Sequence, residues 1–506
     1  MVPSCLLKWN DPLMEKMMDL RELLYAYILE FNKNDQEIYP QYIRNSEAFE
    51  WMKNRIPLLQ CPDKTIEKIY YFRWWTYRKH IKKTPEGFII TEFLPKVPWS
   101  GRYNSINCAA GFHIAEGRWL ADADKYLEDY IRFWLKGSGD PHAYSTWLAD
   151  SVWSYCSVRG DFSIGIELLP EMISNYKFRE DHQLGPVGLY WSSDDRDCME
   201  YMISGSGLRP TLNSYQFADA MAISRFSALS GEKDLQEEYL EKADSIKRCF
   251  QKYLWDGDFF KTIPLAENRP VVPELDFKKI PVGHNTREEM GFIPWYFNLP
   301  DEGYEIAFEQ LKEEEGFAGR YGITTAEKRH PRYRFAVDHE CLWNGPVWPF
   351  ATSQTLGAVI NLLNNYHQSV FTKEDFFRLL KQYAASQCLS NQNGRAVPWI
   401  DENLDPDTGE WLARSILKGK NWPESKGGYE RGKDYNHSTF CDLVITGLLG
   451  IRTDGNKLHV SPLIPDDWNY FRLENLNFRG TSYTITYDKT GNFYHRGKGL
   501  SIVSNH

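Results

Sequence analysis

Apolar residues recur at helical spacing through most of the chain, and they do so in two alternating kinds of segment. Residues 212–229 are apolar and rich in small side chains (Phe217, Ala218, Ala220, Met221, Ile223, Phe226, Ala228), the pattern of a helix packed on two sides. After Ser230-Gly231-Glu232-Lys233-Asp234, residues 235–254 carry Glu237, Glu238, Glu241, Lys242, Asp244, Lys247 and Arg248 between apolar positions, which leaves one face for solvent. The same inner-then-outer alternation predicts helices over 109–120 and 122–135, 143–158 and 162–176, 288–297 and 301–313, and 351–364 and 373–388. A last inner helix over 438–451 would close a ring.

About six inner helices, most with an outer partner, predict a mainly α fold, an (α/α)6 toroid. An open solenoid would show near-equal, similar repeats. Here the loops that follow the outer helices are long, unequal and aromatic, as functional loops gathered at one rim would be. The texture differs at both ends. Residues 1–100 mix a helical stretch, 11–32, with the β-like run 88–93, and are expected to pack as a segment on the barrel, which spans 101–452. Residues 453–506 alternate apolar with polar over 456–460, 471–477 and 481–487, with turns at Asp454-Gly455, Asp466-Asp467 and Thr490-Gly491, and predict a small C-terminal antiparallel β element.

Composition narrows the function. With 59 Lys+Arg against 69 Asp+Glu among 506 residues, and no basic run, neither nucleic acid nor an anionic membrane is an expected partner. No apolar run approaches the ~18 residues of a spanning helix. The start of the chain reads as no signal peptide, which fits a cytoplasmic protein, or a periplasmic or secreted one whose leader has been removed. The nine Cys are scattered without CxxC or CxH spacing, so a disulfide framework, a metal site and a cofactor are not expected. Aromatic residues make up 15% of the chain. Many sit in Gly/Pro-rich loops, where their flat faces suit pyranose rings and carbohydrate becomes the expected partner.

Candidate chemistry lies in four such loops. In Trp343-Asn344-Gly345-Pro346-Val347-Trp348-Pro349, ahead of an inner helix, Trp343 and Trp348 offer stacking faces while Asn344 and the nearby Gln354 offer amides. The loop from Tyr190 and Trp191 through Asp194, Asp195, Asp197 and Glu200 to Arg209 crowds four acids together, and mutual repulsion should raise at least one pKa, as a general acid needs. Glu402 stands in Trp399-Ile400-Asp401-Glu402, and Glu430 in Gly428-Tyr429-Glu430, shortly before His437. Glycoside hydrolysis requires such a pair, one carboxylic acid and one carboxylate, on either side of the scissile bond.

The segment 343–349 resembles the WRGPxW segment of six-hairpin glycosidases in the clan of trehalases, processing α-glucosidase I and mannosylglycerate hydrolases. Residues 196–200 fall where that clan carries ESGxD, 402–409 are similar to its E-x-x-x-P-x-T-G loop, and 428–430 resemble its GGEY segment. The resemblance implies an inverting hydrolase of α-linked glycosides, with Glu200 as general acid (Asp197 next) and Glu430 or Glu402 as base. It also implies sugar contacts from Trp343, Asn344, Trp348, Tyr190, Trp191, Arg209, Gln354 and His437. Asn344 stands where Arg is usual, and Glu200 where Asp is usual. A glycoside phosphorylase, another carbohydrate-active toroid such as an N-acylglucosamine epimerase-type enzyme, and an inactive carbohydrate-binding protein are the alternatives.

Overall fold

A computed structural model describes residues 19–505 except 186, 266–282, 391–393 and 454. The start of the helical stretch expected over 11–32 and the first residue of the expected turn at 454 lie outside the described residues. Six inner segments form a closed ring: Ala110–Gly117, Leu148–Arg159, Pro210–Ser230, Ile293–Tyr296 with the 3-10 turn Glu289–Phe292, Pro349–Asn365, and Cys441–Leu443 continued by Val444–Leu448. Each packs on the next, and the last packs back on the first. The outer layer holds Ala123–Leu135, Leu169–Gln183, Lys233–Tyr253, the 3-10 segment Glu305–Leu311, and Lys373–Ser386. The fold is therefore mainly α, an (α/α)6 toroid. Among the described residues, no helix is long and apolar enough to cross a membrane.

Local chemistry sets the boundaries. Pro210 and Pro349 open their helices, where a missing N–H costs nothing, and Gly231 ends the first of these in the left-handed region at φ 81°. Thr372 and Asp375 close a capping box at the start of Lys373–Ser386. The outer helix expected over 162–176 is instead two, Ser163–Glu167 and Leu169–Gln183, because Pro170 starts a new helix. The last inner helix is shorter than the expected 438–451. Gly450, at φ +70°, turns the chain so closely over the Ser461 carbonyl that a Cβ there would lie 1.9 Å from it, and Ile451 pairs with Val460 as a strand.

The helix Lys64–His80 fills the outer position beside the last inner segment. Its Tyr70, Tyr71, Trp74 and Trp75 are buried, and Leu20–Lys33 covers it from outside. Asp35, Lys79, Lys433 and Asp434 alternate in charge there, with Lys79 Nζ 2.7 Å from Asp35 and 2.6 Å from Asp434, and Lys433 Nζ 2.6 Å from Asp35. These ion pairs fasten the segment before the closing helix. The C-terminal strands form an antiparallel sheet in the order Leu58–Gln60, Tyr470–Phe478, Thr481–Asp488, Gly499–Asn505. A strand from near residue 60 thus borders a sheet made otherwise of the last residues.

Aromatic rings fill the middle of the barrel. Trp147 touches Phe112 (5.1 Å between ring centres), Tyr215 (4.8 Å), Tyr296 (6.2 Å) and Phe350 (6.3 Å), all aromatic residues of other inner segments. Gly111 makes room, since a Cβ there would lie 2.3 Å from the Trp147 ring.

The closing helix has an unusual cap. Glu116, buried on the first inner helix, accepts the backbone N–H groups of Phe440 (2.6 Å) and Cys441 (3.0 Å) on Oε1 and of Asp442 (2.7 Å) on Oε2. Burial pushes its carboxyl up to about 7, against the opposing pull of Arg73 and those N–H groups. Because its folded pKa lies above the ordinary 4.5, its contribution is complete below about pH 4.5 and is lost as pH rises through about 7. Glu116→Gln turns an amide NH2 toward N–H donors and should cost ~2–3 kcal/mol. Thermal melts across this range should show a lower Tm for the variant and a flatter dependence on pH.

Candidate active site

A cavity of about 540 Å³ opens at the rim where the inner helices begin. Its walls come from the loops leading into five of them. Glu92, Phe93, Trp99 and Ile106 precede the first, Tyr144 the second, and Cys198 and Glu200 the third. His339, Glu340, Cys341 and Trp348 precede the fifth, and Glu402, Trp422, Lys426, Arg431, Tyr435 and His437 the sixth.

Four carboxyl groups face this cavity, in contrasting environments. Burial pushes Glu200 up to about 7; its Oε2 accepts the Cys341 thiol at 2.8 Å. Burial pushes Glu92 up to about 8, although Tyr435 Oη donates to it at 2.7 Å. Glu402 is gripped by Arg431, whose Nε and one terminal nitrogen donate to its two oxygens at 2.7 and 3.1 Å. The same guanidinium lies 3.0 Å from Glu340 and packs between Trp99 (4.8 Å) and Trp422 (5.7 Å). The cavity thus carries one carboxyl that burial pushes up to about 7 and, from another loop, one whose two oxygens are gripped by a guanidinium.

The loop 343–349 sets the spacing between them. Trp343 N donates to the Glu200 carbonyl at 3.1 Å, and Val347 and Leu404 exchange backbone hydrogen bonds of 2.9 Å in both directions. Trp343 and Trp348 stack, 4.5 Å apart and 12° from parallel, and Trp348 Nε1 donates to the Leu342 carbonyl at 2.7 Å. Gly345 adopts φ 150° where a side chain would strike Tyr333 and Arg334. The loop is therefore a rigid strut between the Glu200 and Glu402 loops.

Of the residues picked from sequence, the structure brings Glu200, Glu402, Trp348 and His437 to the cavity. It places the others elsewhere. Asp197 is buried under Ser145 and Ser192 (both 2.6 Å), Thr211 and Arg209, whose Nε lies 2.6 Å away, so it and Arg209 satisfy each other. Glu430 pairs with Arg414 at 2.5 Å, away from the cavity wall. Tyr190 bonds Tyr176 (3.3 Å), Trp191 Nε1 donates to the Leu265 carbonyl (3.0 Å), and Gln354 donates to Tyr215 (3.0 Å). Asn344 donates to the Phe335 carbonyl at 2.8 Å, and Trp343 backs Trp348 from within the core.

Several cavity residues carried no sequence signal. Glu92 lies within the strand-like run 88–93, Arg431 stands directly after the candidate acid Glu430, and Trp99 and Trp422 stand alone in loops. Only the separation of Arg431 from Glu402, 29 positions along the chain, hides a pairing that is tight in space.

Comparison with known proteins identifies the family and the fold. Residues 102–438 match the family described as Mannosylglycerate hydrolase MGH1-like glycoside hydrolase domain, and residues 451–504 the Glycosyl hydrolase family 65 C-terminal domain. Among solved structures, a protein described as a sialidase is 39% identical over 96% of this chain, with a TM-score of 0.86. That match takes up 43% of the sialidase, so the present chain spans less than half of its length. A GH78 rhamnosidase of Bacillus sp. GL1 (10% identity, TM-score 0.52) covers 86% of this chain and 40% of its own. An α-L-rhamnosidase from Dictyoglumus thermophilum (15%, TM-score 0.50) covers 87% and 44%. These two share the fold.

The Asp197–Arg209 pair is buried, mutually satisfied and a support of the loop. Both side chains are fully buried, so Asp197→Ala leaves an uncompensated guanidinium and should cost ~3–5 kcal/mol. Chemical denaturation should report that loss, while Glu430→Gln, whose pair is partly exposed, should change stability by less than about 1 kcal/mol.

Proposed function

The chain belongs to the mannosylglycerate hydrolase MGH1-like family of glycoside hydrolases, and from that premise we propose that it hydrolyses a glycosidic bond between Glu200 and Glu402. Glu200 protonates the departing glycosidic oxygen. Its raised pKa supports this role, since a general acid must hold its proton at the working pH and release it in the transition state. Glu402 takes a proton from the attacking water, and Arg431 fixes the orientation of its two oxygens. The observation that carries the reading is that one cavity receives both a buried carboxyl with a raised pKa and a carboxyl held by Arg431, on loops joined by the strut 343–349.

Trp348, Trp99 and Trp422 supply flat apolar faces along the cavity, and the sugar ring stacks there. The charge balance favours a neutral sugar. Of the two cations on the wall, Arg431 is already shared by Glu340 and Glu402, which leaves Lys426 to face any anionic group. We therefore place neutral glycosides ahead of sialosides, uronides or glycerate-linked sugars as substrate. An α-linkage and inversion of configuration are what the likeness to the trehalase clan implies. A phosphorylase would need a free cluster of cations where Arg431 is engaged.

A panel of neutral and acidic aryl glycosides, with the product anomer followed by NMR, tests substrate class and stereochemistry together. On a cleaved substrate, Glu200→Gln should lower kcat by about 100- to 10,000-fold. For the wild type, kcat/KM should fall as pH rises through about 7, where Glu200 loses its proton. The variant should lack that limb. Full activity of Glu200→Gln on a poor-leaving-group glycoside would overturn the assignment.

A further inference from the structure

Three side chains that take no part in the proposed hydrolysis meet beside the cavity, two of them on its wall: Glu92, Cys108 and His437. All are buried, and one ligand atom from each lies within 4.8 Å of the others. Cys108 Sγ is 3.3 Å from His437 Nε2 and 3.5 Å from Glu92 Oε2, and His437 Nε2 is 3.8 Å from Glu92 Oε2. A tetrahedral zinc ion with ordinary bonds to sulfur, nitrogen and oxygen holds those atoms about 3.3–3.6 Å from one another. The triangle is therefore already close to the size that such an ion requires.

Two further observations favour a bound cation over a hydrogen-bonded cluster. His437 is 2% exposed, so its ring is shut off from bulk solvent. Its Nε2 meets only a thiol and, at 3.8 Å, a carboxylate, so the imidazole is aimed into the cluster without a strong partner of its own. Tyr435 Oη holds the other oxygen of Glu92, Oε1, at 2.7 Å, as an outer partner holds a ligating carboxylate. Glu92 and His437 also line the cavity, so a fourth coordination position would open into it.

We propose that Glu92, Cys108 and His437 form a site for a divalent cation of the zinc class. A sulfur, an imidazole and a carboxylate together suit zinc and exclude a preference for magnesium or calcium, which take oxygen. The three ligands lie 16 and 329 positions apart along the chain, so no spacing motif announces them. The site does not depend on the hydrolytic assignment, because neither Glu200 nor Glu402 is a ligand.

The test uses the full chain, stripped with chelator and titrated with cobalt(II) and with zinc. The expected result is a near-ultraviolet thiolate-to-cobalt band with the intense visible bands of tetrahedral cobalt, and about one zinc retained per chain. Zinc should raise the Tm. Cys108→Ser should abolish the thiolate band, and His437→Gln should weaken zinc binding by more than ~100-fold, beyond the loss typical of an outer-shell change. Circular dichroism of the stripped proteins checks that the variants fold. Absence of a thiolate band in the wild type, or a band that persists unchanged in Cys108→Ser, would overturn the site whether or not the protein cleaves a glycoside.

Discussion

The convergence of aromatic rings on Trp147 is the constraint from which the rest of the molecule follows. A ring of helices leaves a space on its axis, and an apolar axis with no side chains to fill it would forfeit the dispersion and burial that hold the ring closed. Phe112, Tyr215, Tyr296 and Phe350 reach that axis from four other inner segments and pack edge-on or tilted against Trp147. Such ring pairs are worth ~0.5–1.5 kcal/mol each beyond the area they bury. They also plug the barrel from below. The active-site cavity ends on this layer, of which Phe350, 4.6 Å from His437, forms part.

Above this plug the site depends on charge held out of water. A buried ion pair contributes little net stability, but breaking one is costly, so such pairs fix geometry more than they strengthen the fold. Around the cavity they do so twice. The Asp35–Lys79–Asp434–Lys433 network, with His80 Nε2 and His113 Nε2 donating at 2.7 Å to the carbonyls of Asp434 and Asn436, immobilises the residues just before His437. Arg431, only a few positions earlier, holds Glu402 and Glu340. The loop that enters the closing helix is thus anchored at every step, and the groups it presents to the cavity are held in place by partners from distant parts of the chain.

The acid-rich loop illustrates how burial sorts similar residues into different roles. Asp197 and Glu200 are three positions apart, and repulsion among the loop's acids was the basis for expecting a raised pKa. In the fold, Asp197 turns inward onto Arg209 and three hydroxyl donors, whereas Glu200 faces the cavity and takes a thiol from Cys341, with no cation donor among the described residues. Burial, more than the neighbouring acids, raises Glu200; Asp194 and Asp195 add a smaller push. The Cys198 residue between them, at φ 58°, marks the bend that separates the two fates.

What the sequence determined by itself was the architecture. Helical periodicity, with one apolar-all-round helix followed by one with a charged face, depends only on near neighbours, so the ring of inner and outer helices and the C-terminal strands could be read from it. So could the stiffness of 343–349, since Pro346 and Pro349 fix their own φ angles and the two Trp offer broad packing faces. Only the tertiary structure decided which polar residues share a space. Glu402 and Arg431, Glu92 and Tyr435, Cys108 and His437 are paired across tens to hundreds of positions, and neither spacing nor composition records those encounters. Asp197 and Glu430 stood beside Glu200 and Glu402 as candidates along the chain because a carboxylate has the same chemistry wherever it stands. Its partner and its distance from water are set by the packing of the whole barrel.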